Sequence, residues 1–309
     1  KQAAGSALVQ FGETMVLETT FETGTGKCRL TDAMVVEREN PEIVRIVEGI
    51  EGSVELESAL KVRFDYGSIV PWKKRLGPKS ITIVGGPDLL QFSSDLPIDD
   101  DSEASRKFSI RAGGKSSFSL AWAPAHRMTR IPTGKPEENL RKTIEWWKNW
   151  AGRCTATGKT RERIIRSLLV LKCLTYSPSG GIVAAPTTSL PEEPGGERNW
   201  DYRFCWVRDS TFTLYSLLLA GYREEAERWF RWLMRAVAGT PSQMNIMYGI
   251  RGERRLDELE LPWLPGFSGS KPVRIGNAAY RQVQLDIFGE LMDTFLLAVK
   301  HELPFDEDA

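Results

Sequence analysis

The sequence predicts an α+β chain in two parts, a β-sandwich followed by a helical region, and three observations carry this. Over roughly the first 125 of 309 residues, apolar and polar residues alternate at period two in short runs broken by Gly, Pro and Asp. After Ile131-Pro132-Thr133-Gly134-Lys135-Pro136 the apolar spacing changes to the three-and-four pattern of helices. With 41% hydrophobic and 27% charged residues, the composition is that of a soluble globular chain of about two domains, which excludes disordered, collagen-like and cysteine-rich scaffolds.

The sandwich is assigned to residues 1–125. Its strands are read from Met15-Val16-Leu17-Glu18-Thr19-Thr20-Phe21, then Ile43 to Val47, Val54 to Phe64, Ser80 to Val84, Lys107 to Arg111 and Ser116 to Trp122, a spacing typical of sandwiches. Gly24-Thr25-Gly26 and Gly85-Gly86-Pro87-Asp88 carry turn chemistry. The acidic run Asp99-Asp100-Asp101 reads as a solvated loop, because no glycine-containing calcium loop of about 12 residues follows it.

Residues 126–154 form a linker with one helix, in which Leu140, Ile144, Trp147 and Ala151 fall at helical spacing and Pro136 suits the first turn. Residues 155–309 contain four further expected helices, at about 160–176, 209–220, 223–238 and 278–300. Helix 223–238 has the cleanest stripe, with Ala226, Trp229, Phe230, Leu233, Met234 and Val237 on one face and Gly239 as the stop. Helix 160–176 is apolar on most sides, so it is expected to be surrounded by other helices. The long aperiodic stretches Tyr176 to Asn199 and Gln243 to Asn277 are the places where function is expected.

Charge and rare residues narrow the chemistry. Forty-one Lys and Arg against 41 Asp and Glu give no net charge, so no whole-chain field draws nucleic acid or an anionic membrane, and a neutral ligand fits better. His126 and His301 are the two histidines, and no His/Cys cluster has metal-ligand spacing; acid–base chemistry must rest on carboxylates, with no metal or cofactor expected. Cys28, Cys154, Cys173 and Cys205 are sparse and show no paired spacing, as expected of free thiols in a reducing compartment. No apolar run approaches the roughly 20 residues that span a bilayer, and the opening KQAAGSALVQFGE lacks a signal-peptide core, so a cytoplasmic location is expected.

The densest segment runs from Pro191 to Asp209. Two glycines, Gly195 and Gly196, are followed by Trp200, Tyr202, Phe204 and Trp206 alternating with Asn, Asp and Arg, and then by a helix expected from about Asp209. In an extended segment this alternation sends aromatics and charges to opposite faces. Sugar recognition uses that mixture, since ring faces stack on aromatics while hydroxyls need fixed planar donors and acceptors. A buried Arg–Asp ion pair in a helix-capping loop, with Asp209 as N-cap, accounts for the same residues equally well.

The run Arg198-Asn199-Trp200-Asp201-Tyr202-Arg203-Phe204-Cys205-Trp206-Val207-Arg208-Asp209 closely resembles the bacterial glucoamylase-like and trehalase-like branch of glycoside hydrolase family 15. The resemblance extends to Ala184 to Pro191, to Met247-Tyr248-Gly249, to Leu261-Pro262-Trp263-Leu264-Pro265-Gly266 and to Arg274-Ile275-Gly276-Asn277-Ala278-Ala279. Val44 to Gly49 and Arg63-Phe64-Asp65-Tyr66-Gly67 are similar to the family's N-terminal β-domain. It implies a supersandwich-like β-domain, a helical linker and an (α/α)6 barrel, in an enzyme that releases glucose from α-linked ends with inversion. By the same resemblance Arg208 and Asp209 grip the terminal glucose at the floor of a pocket, Tyr202 and Trp206 wall it, and Trp263 closes over it.

The sequence also departs from the family's pattern. Six helix pairs make such a barrel, whereas residues 155–309 supply about four helices, and the segments that resemble the family's general acid and general base are expected beyond residue 309. The local carboxylates Glu192, Glu193, Glu197, Glu253, Asp257, Glu258 and Glu260 read as solvated loop charge, and Asp286 and Glu290 as facing solvent or pairing with Arg281. The expectation is therefore a large part of an inverting α-glucosidase. Its ligand is an α-linked glucose disaccharide or oligosaccharide. The rest of the barrel lies in the same protein or in another chain, and a homo-oligomer is possible. A sugar-binding piece without catalysis, or a degenerate piece without a ligand, are the rival readings.

Overall fold

The computed structural model describes residues 7–10, 12–99, 105–127 and 129–303. Lys1 to Ser6, Phe11, and Asp100 and Asp101 of the acidic run lie outside the described residues, while Asp99 pairs with Arg106 at 2.9 Å. The chain forms two compact units, Lys1–Ala151 and Gly152–Ala309. No helix among the described residues is long and apolar enough to cross a membrane.

The first unit is an antiparallel β-domain of nine strands: β1 (Ala7–Gln10), β2 (Leu17–Thr23), β3 (Gly26–Met34), β4 (Glu42–Ser58), β5 (Trp72–Gly77), β6 (Ser80–Gly85), β7 (Asp88–Ser94), β8 (Arg106–Arg111) and β9 (Lys115–Pro124). The hydrogen-bonded order is β1-β2-β3-β4-β9-β7-β6-β5, with β8 added on β4. Strand β4 explains how one long strand serves two neighbours: Glu42 to Glu48 pair with β9, and Ser53 to Ser58 with β8. Between these halves Gly49 and Gly52 turn the strand. A Cβ on Gly49 would lie 2.0 Å from the Arg111 carbonyl oxygen, and Gly52 has φ +58, a region that L side chains rarely adopt.

Alternation then fills one core. Cys28, Val47, Val54, Ile81, Ile83, Phe92, Ile110 and Phe118 meet in it from six strands, with the Phe92 and Phe118 rings stacked at 6.3 Å. The run read as a strand from Val54 to Phe64 leaves the ladder after Ser58, yet Leu60, Val62 and Phe64 keep their period-two spacing and pack into the same core without it.

Helix α1 (Pro136–Gly152) falls with the strands in the first unit as far as Ala151. Its buried face is Asn139, Thr143, Trp147, Trp150 and Ala151; of the expected stripe Trp147 and Ala151 are buried, whereas Leu140 and Ile144 are half-buried because the first half of the helix is rotated by one residue. Polar contacts account for the rotation. Glu42, whose side chain is fully buried, accepts from Ser119 Oγ at 2.6 Å and from Asn139 Nδ2 at 3.2 Å, and pairs with Arg38 at 3.2 Å.

Among its described residues the second unit holds four α-helices, α2 (Arg161–Cys173), α3 (Val207–Leu219), α4 (Arg223–Val237) and α5 (Asp286–Lys300). Four two-residue strands, β10 (Cys205–Trp206) with β11 (Met247–Tyr248), and β12 (Leu259–Glu260) with β13 (Arg274–Ile275), pin the long loops as two pairs. Helix α4 buries Ala226, Trp229, Phe230, Leu233 and Val237 of its expected stripe, leaves Met234 half-buried, and also buries Trp232, whose Nε1 donates to the Ile250 carbonyl at 3.1 Å.

Two helices depart from the sequence reading. Helix α2 is not surrounded: Ile165, Leu168 and Leu169 are buried while Val170 is exposed. The helix expected at 278–300 begins at Asp286, because Asn277 caps a separate 3-10 turn, Ala278–Arg281, by accepting from Ala279 N at 3.0 Å.

Exposed apolar side chains recur at helical spacing on both α3 (Phe212, Tyr215, Leu219) and α5 (Phe288, Met292, Leu296, Val299). Stripes of this kind drive association in water. A chain of these 309 residues is expected to run by light scattering well above its 34.8 kDa mass; a stable monomer at micromolar concentration would contradict this.

Candidate functional site

The segment from Trp200 to Asp209 is fixed by backbone pairing before any side chain acts. Trp206 pairs with Met247 across β10 and β11, and Val207 N donates to the Ile246 carbonyl at 3.0 Å. This holds Trp206 extended, at φ −84 and ψ 129, as the N-cap of α3, so the helix starts two residues before the expected place. Asp209 is therefore not the cap. It stands in the first turn, where a carboxylate is favoured by the helix dipole.

Upstream, the period-two alternation is realised in space. Trp200, Tyr202 and Trp206 line one cavity of about 520 Å³, together with Glu258, Asn277, Ala278, Ala279 and Gln282. Asp201 and Cys205, from the opposite face, are buried. Asp201 is the hub of that face: its carboxylate accepts from Arg203 Nε at 2.9 Å, Arg203 Nη2 at 2.8 Å and Gly276 N at 3.1 Å, while Asn277 Nδ2 donates to its carbonyl at 3.0 Å. Both readings of the segment thus apply to different residues, aromatics walling a cavity and an Arg–Asp pair holding the loop.

The far wall is set by Arg274. Its guanidinium lies 4.6 Å from the Trp200 ring centre, its Nε is 3.2 Å from Glu258 Oε1, and its Nη1 donates to the Glu197 carbonyl at 2.9 Å. Glu258 Oε2 also accepts from Ala278 N at 3.2 Å. Glu258 is thereby a wall carboxylate held by two partners rather than solvated loop charge.

On the other side of Trp206 a second cavity of about 230 Å³ is lined by Asp209, Ser210, Phe212 and Thr213 from α3 and by apolar residues including Leu171, Leu174 and Ile182. Arg208 lies 3.5 Å from Asp209, with its guanidinium 5.8 Å from the Trp206 ring centre. The Arg208 and Asp209 side chains are 42% and 52% exposed, in the first turn of α3. Arg208 also reaches Asp286 at 3.5 Å, and Arg281 is taken instead by Asp257 at 2.6 Å. Asp286 thus does face solvent, its side chain 45% exposed, but its partner is Arg208 and not Arg281.

The family profile described as Glycosyl hydrolases family 15 matches residues 158–309, which contain every one of these side chains. Residues 158–309 belong to glycosyl hydrolase family 15. Among family relatives, the chain is 36% identical to a trehalase of Mycolicibacterium smegmatis over 93% of its own length and 47% of that protein's. It is 34% identical to trehalase 1 of Sulfolobus acidocaldarius, over 93% of this chain and 49% of that one. The chain thus spans about half the length of the curated relatives it matches. A bacterial glucoamylase crystallised with acarbose has the same fold over 96% of this chain and 47% of its own, at TM-score 0.66 and 13% identity.

Of the five residues assigned by resemblance to family 15, the structure brings Tyr202 and Trp206 to the larger cavity, Trp206 and Asp209 to the smaller, and Arg208 beside them. Trp263 stands 54% exposed on the turn after β12 and lines neither cavity. Glu258, Asn277 and Gln282 are wall residues to which the sequence reading assigned no ligand-facing role, and Trp200 is one it named only among the alternating aromatics. Asn277 lies in a quoted family segment, whereas Glu258 carries no local signal, since its partner Ala278 is 20 positions away. No group of three or more His, Cys, Asp or Glu side chains among the described residues could hold a metal ion.

Cys205, next to Trp206 in β10, is buried and silenced as a nucleophile. Burial first, and the Glu253 carboxylate second, push its thiol up to about 12. At pH 8 it stays protonated, and a thiol is a far weaker nucleophile than a thiolate. Iodoacetamide on the folded protein is expected to label the exposed Cys173 and to spare Cys205 until denaturant is added, as read by peptide mass spectrometry. Early alkylation of Cys205 would show that β10 opens readily.

Proposed function

We propose that the full-length protein is an inverting α-glucosidase that releases glucose, with trehalose as its substrate. The observation that supports this best is the joint placement of an aromatic wall and the Arg208–Asp209 pair around Trp206, in a chain similar to trehalases along nearly its whole length. Tyr202 and Trp206 stack on the sugar ring, and Arg208 and Asp209 take its hydroxyls. Trp263 reaches the sugar by closure of its loop.

The chemistry of inversion requires one carboxylic acid to protonate the leaving oxygen and one carboxylate to activate water, at a separation of roughly 6.5–9.5 Å. The two cavities beside Trp206 have one carboxylate each in their linings, Glu258 in the larger and Asp209 in the smaller. In this reading both catalytic glutamates come from the part of the protein outside these 309 residues.

The test is glucose release by the full-length protein from trehalose, maltose and isomaltose, with the first-formed anomer followed by NMR. Trehalose is expected to react fastest and to release β-glucose alongside the α-anomer of the leaving half. Faster cleavage of maltose would overturn the substrate, and α-glucose alone would overturn inversion. A second reading, sugar binding without hydrolysis by these residues alone, is favoured by the commitment of Glu258 to Arg274 and Ala278. Glucose release by the 309-residue chain itself would remove it.

A further inference from the structure

Arg208 is the second residue of α3, a position where the helix dipole disfavours a cation. The neighbouring helix makes this worse. Thr211 Oγ1 meets Thr294 Oγ1 at 2.8 Å and donates to the Glu290 carbonyl at 3.1 Å, while Arg208, three residues earlier, meets Asp286. Contacts that advance together along both helices mean that α3 and α5 run parallel, with their N-termini at one end. Two positive helix ends therefore face Arg208, and two first-turn carboxylates, Asp209 and Asp286, answer them at 3.5 Å each.

We propose that Asp286 is the positioning residue that holds the Arg208 guanidinium between two carboxylates and so keeps Asp209 available to a sugar hydroxyl. The inference rests on Arg208 and Asp209 being the pair that grips glucose. Its physical content is a competition. With Asp286 neutral, Asp209 is the remaining charge within reach of the guanidinium, and the two close on each other. A carboxylate sequestered by its neighbour is a poorer acceptor for ligand. Charge attraction alone does not fix the geometry; the Thr211–Thr294 contact does, because it sets how far along α3 the first turn of α5 arrives.

The decisive experiment is a glucose titration of the full-length protein, followed by tryptophan fluorescence, for Asp286→Asn, Asp286→Glu, Arg208→Gln and the double variant Arg208→Gln/Asp286→Asn. The amide keeps the size of the side chain and removes its charge. Asp286→Asn is expected to raise the Kd for glucose about tenfold at low salt, by less at high salt because the pair is half-exposed and screened, and Asp286→Glu is expected to restore it. In the Arg208→Gln background the same change is expected to add less than about twofold, since coupled residues are non-additive.

An equal loss in both backgrounds, insensitive to salt, would overturn the proposal in favour of a role in folding alone, and melting temperatures of all four variants identify that case. Wild-type affinity in Asp286→Asn with loss in Arg208→Gln would overturn the proposal while leaving the sugar-gripping pair intact. Wild-type affinity in Arg208→Gln, or no glucose binding by the wild type, would overturn the assignment of the pair and the proposal with it.

Discussion

Asp209→Ala in the full-length protein is expected to lower kcat/KM for its α-glucoside by at least tenfold. A hydrogen bond from a hydroxyl to a charged carboxylate contributes about 1.5–3 kcal/mol, which corresponds to roughly ten- to a hundredfold at about 1.4 kcal/mol per decade. The larger share should fall on kcat if the contact tightens as the ring flattens towards its oxocarbenium-like transition state. A change confined to KM would mean that Asp209 holds ground state and transition state alike. In the 309-residue chain the same substitution is expected to abolish glucose binding with no hydrolysis to lose. An unchanged kcat/KM in the full-length protein would remove Asp209 from the site.

Glu42→Ala is expected to cost the first unit about 3 kcal/mol, read from urea unfolding. The side chain is fully buried and serves three partners, Arg38, Ser119 and Asn139. Its removal leaves Ser119 and Asn139 without their acceptor, at about 1–3 kcal/mol for each buried group left unpaired. Arg38 is 30% exposed and can turn to water, so its share is small. Glu42→Gln keeps the volume and part of the hydrogen bonding and should cost less than half as much. A loss below about 1 kcal/mol for the alanine variant would show that the two donors find other acceptors.

What could be read from the chain divides along the distance over which information is held. Helix α4 was legible in its own fifteen residues because a continuous apolar stripe has one stable orientation. The strands of Ser80–Gly85 and Lys115–Pro124 announced themselves by alternation. Strand β5 did not, since Trp72-Lys73-Lys74-Arg75-Leu76 lies at the edge of the sheet and has no buried face to mark it. The docking face of α1 was legible only in its second half, at Trp147 and Ala151: its first half is Asn139 and Thr143, and polar side chains leave no trace in a hydrophobic pattern.

The site shows the same division. The alternation of Trp200, Tyr202 and Trp206 is local, and it did produce an aromatic wall opposite a buried acid. The reach of Asp286 to Arg208 and the fixing of Glu258 by Arg274 are products of helix and loop packing, so no spacing rule could anticipate them. Asp209 lost its expected role as a cap because β10 supplies an extended residue just ahead of it, and strand pairing outranked side-chain preference at that junction.

The parallel pairing of α3 with α5 also bears on how the second unit comes into being. The hydroxyl contacts that align these helices join residues 79 and 83 positions apart. Contacts of such long sequence separation form late, because the entropy of closing the intervening loop is lost before they return anything. Helix α4 can gather its own neighbours early. The end of α3, with Trp206 beside it, must wait for the whole of the Gln243 to Asn277 region to find its place. The Trp206 end of this unit is thus a late arrival in its folding.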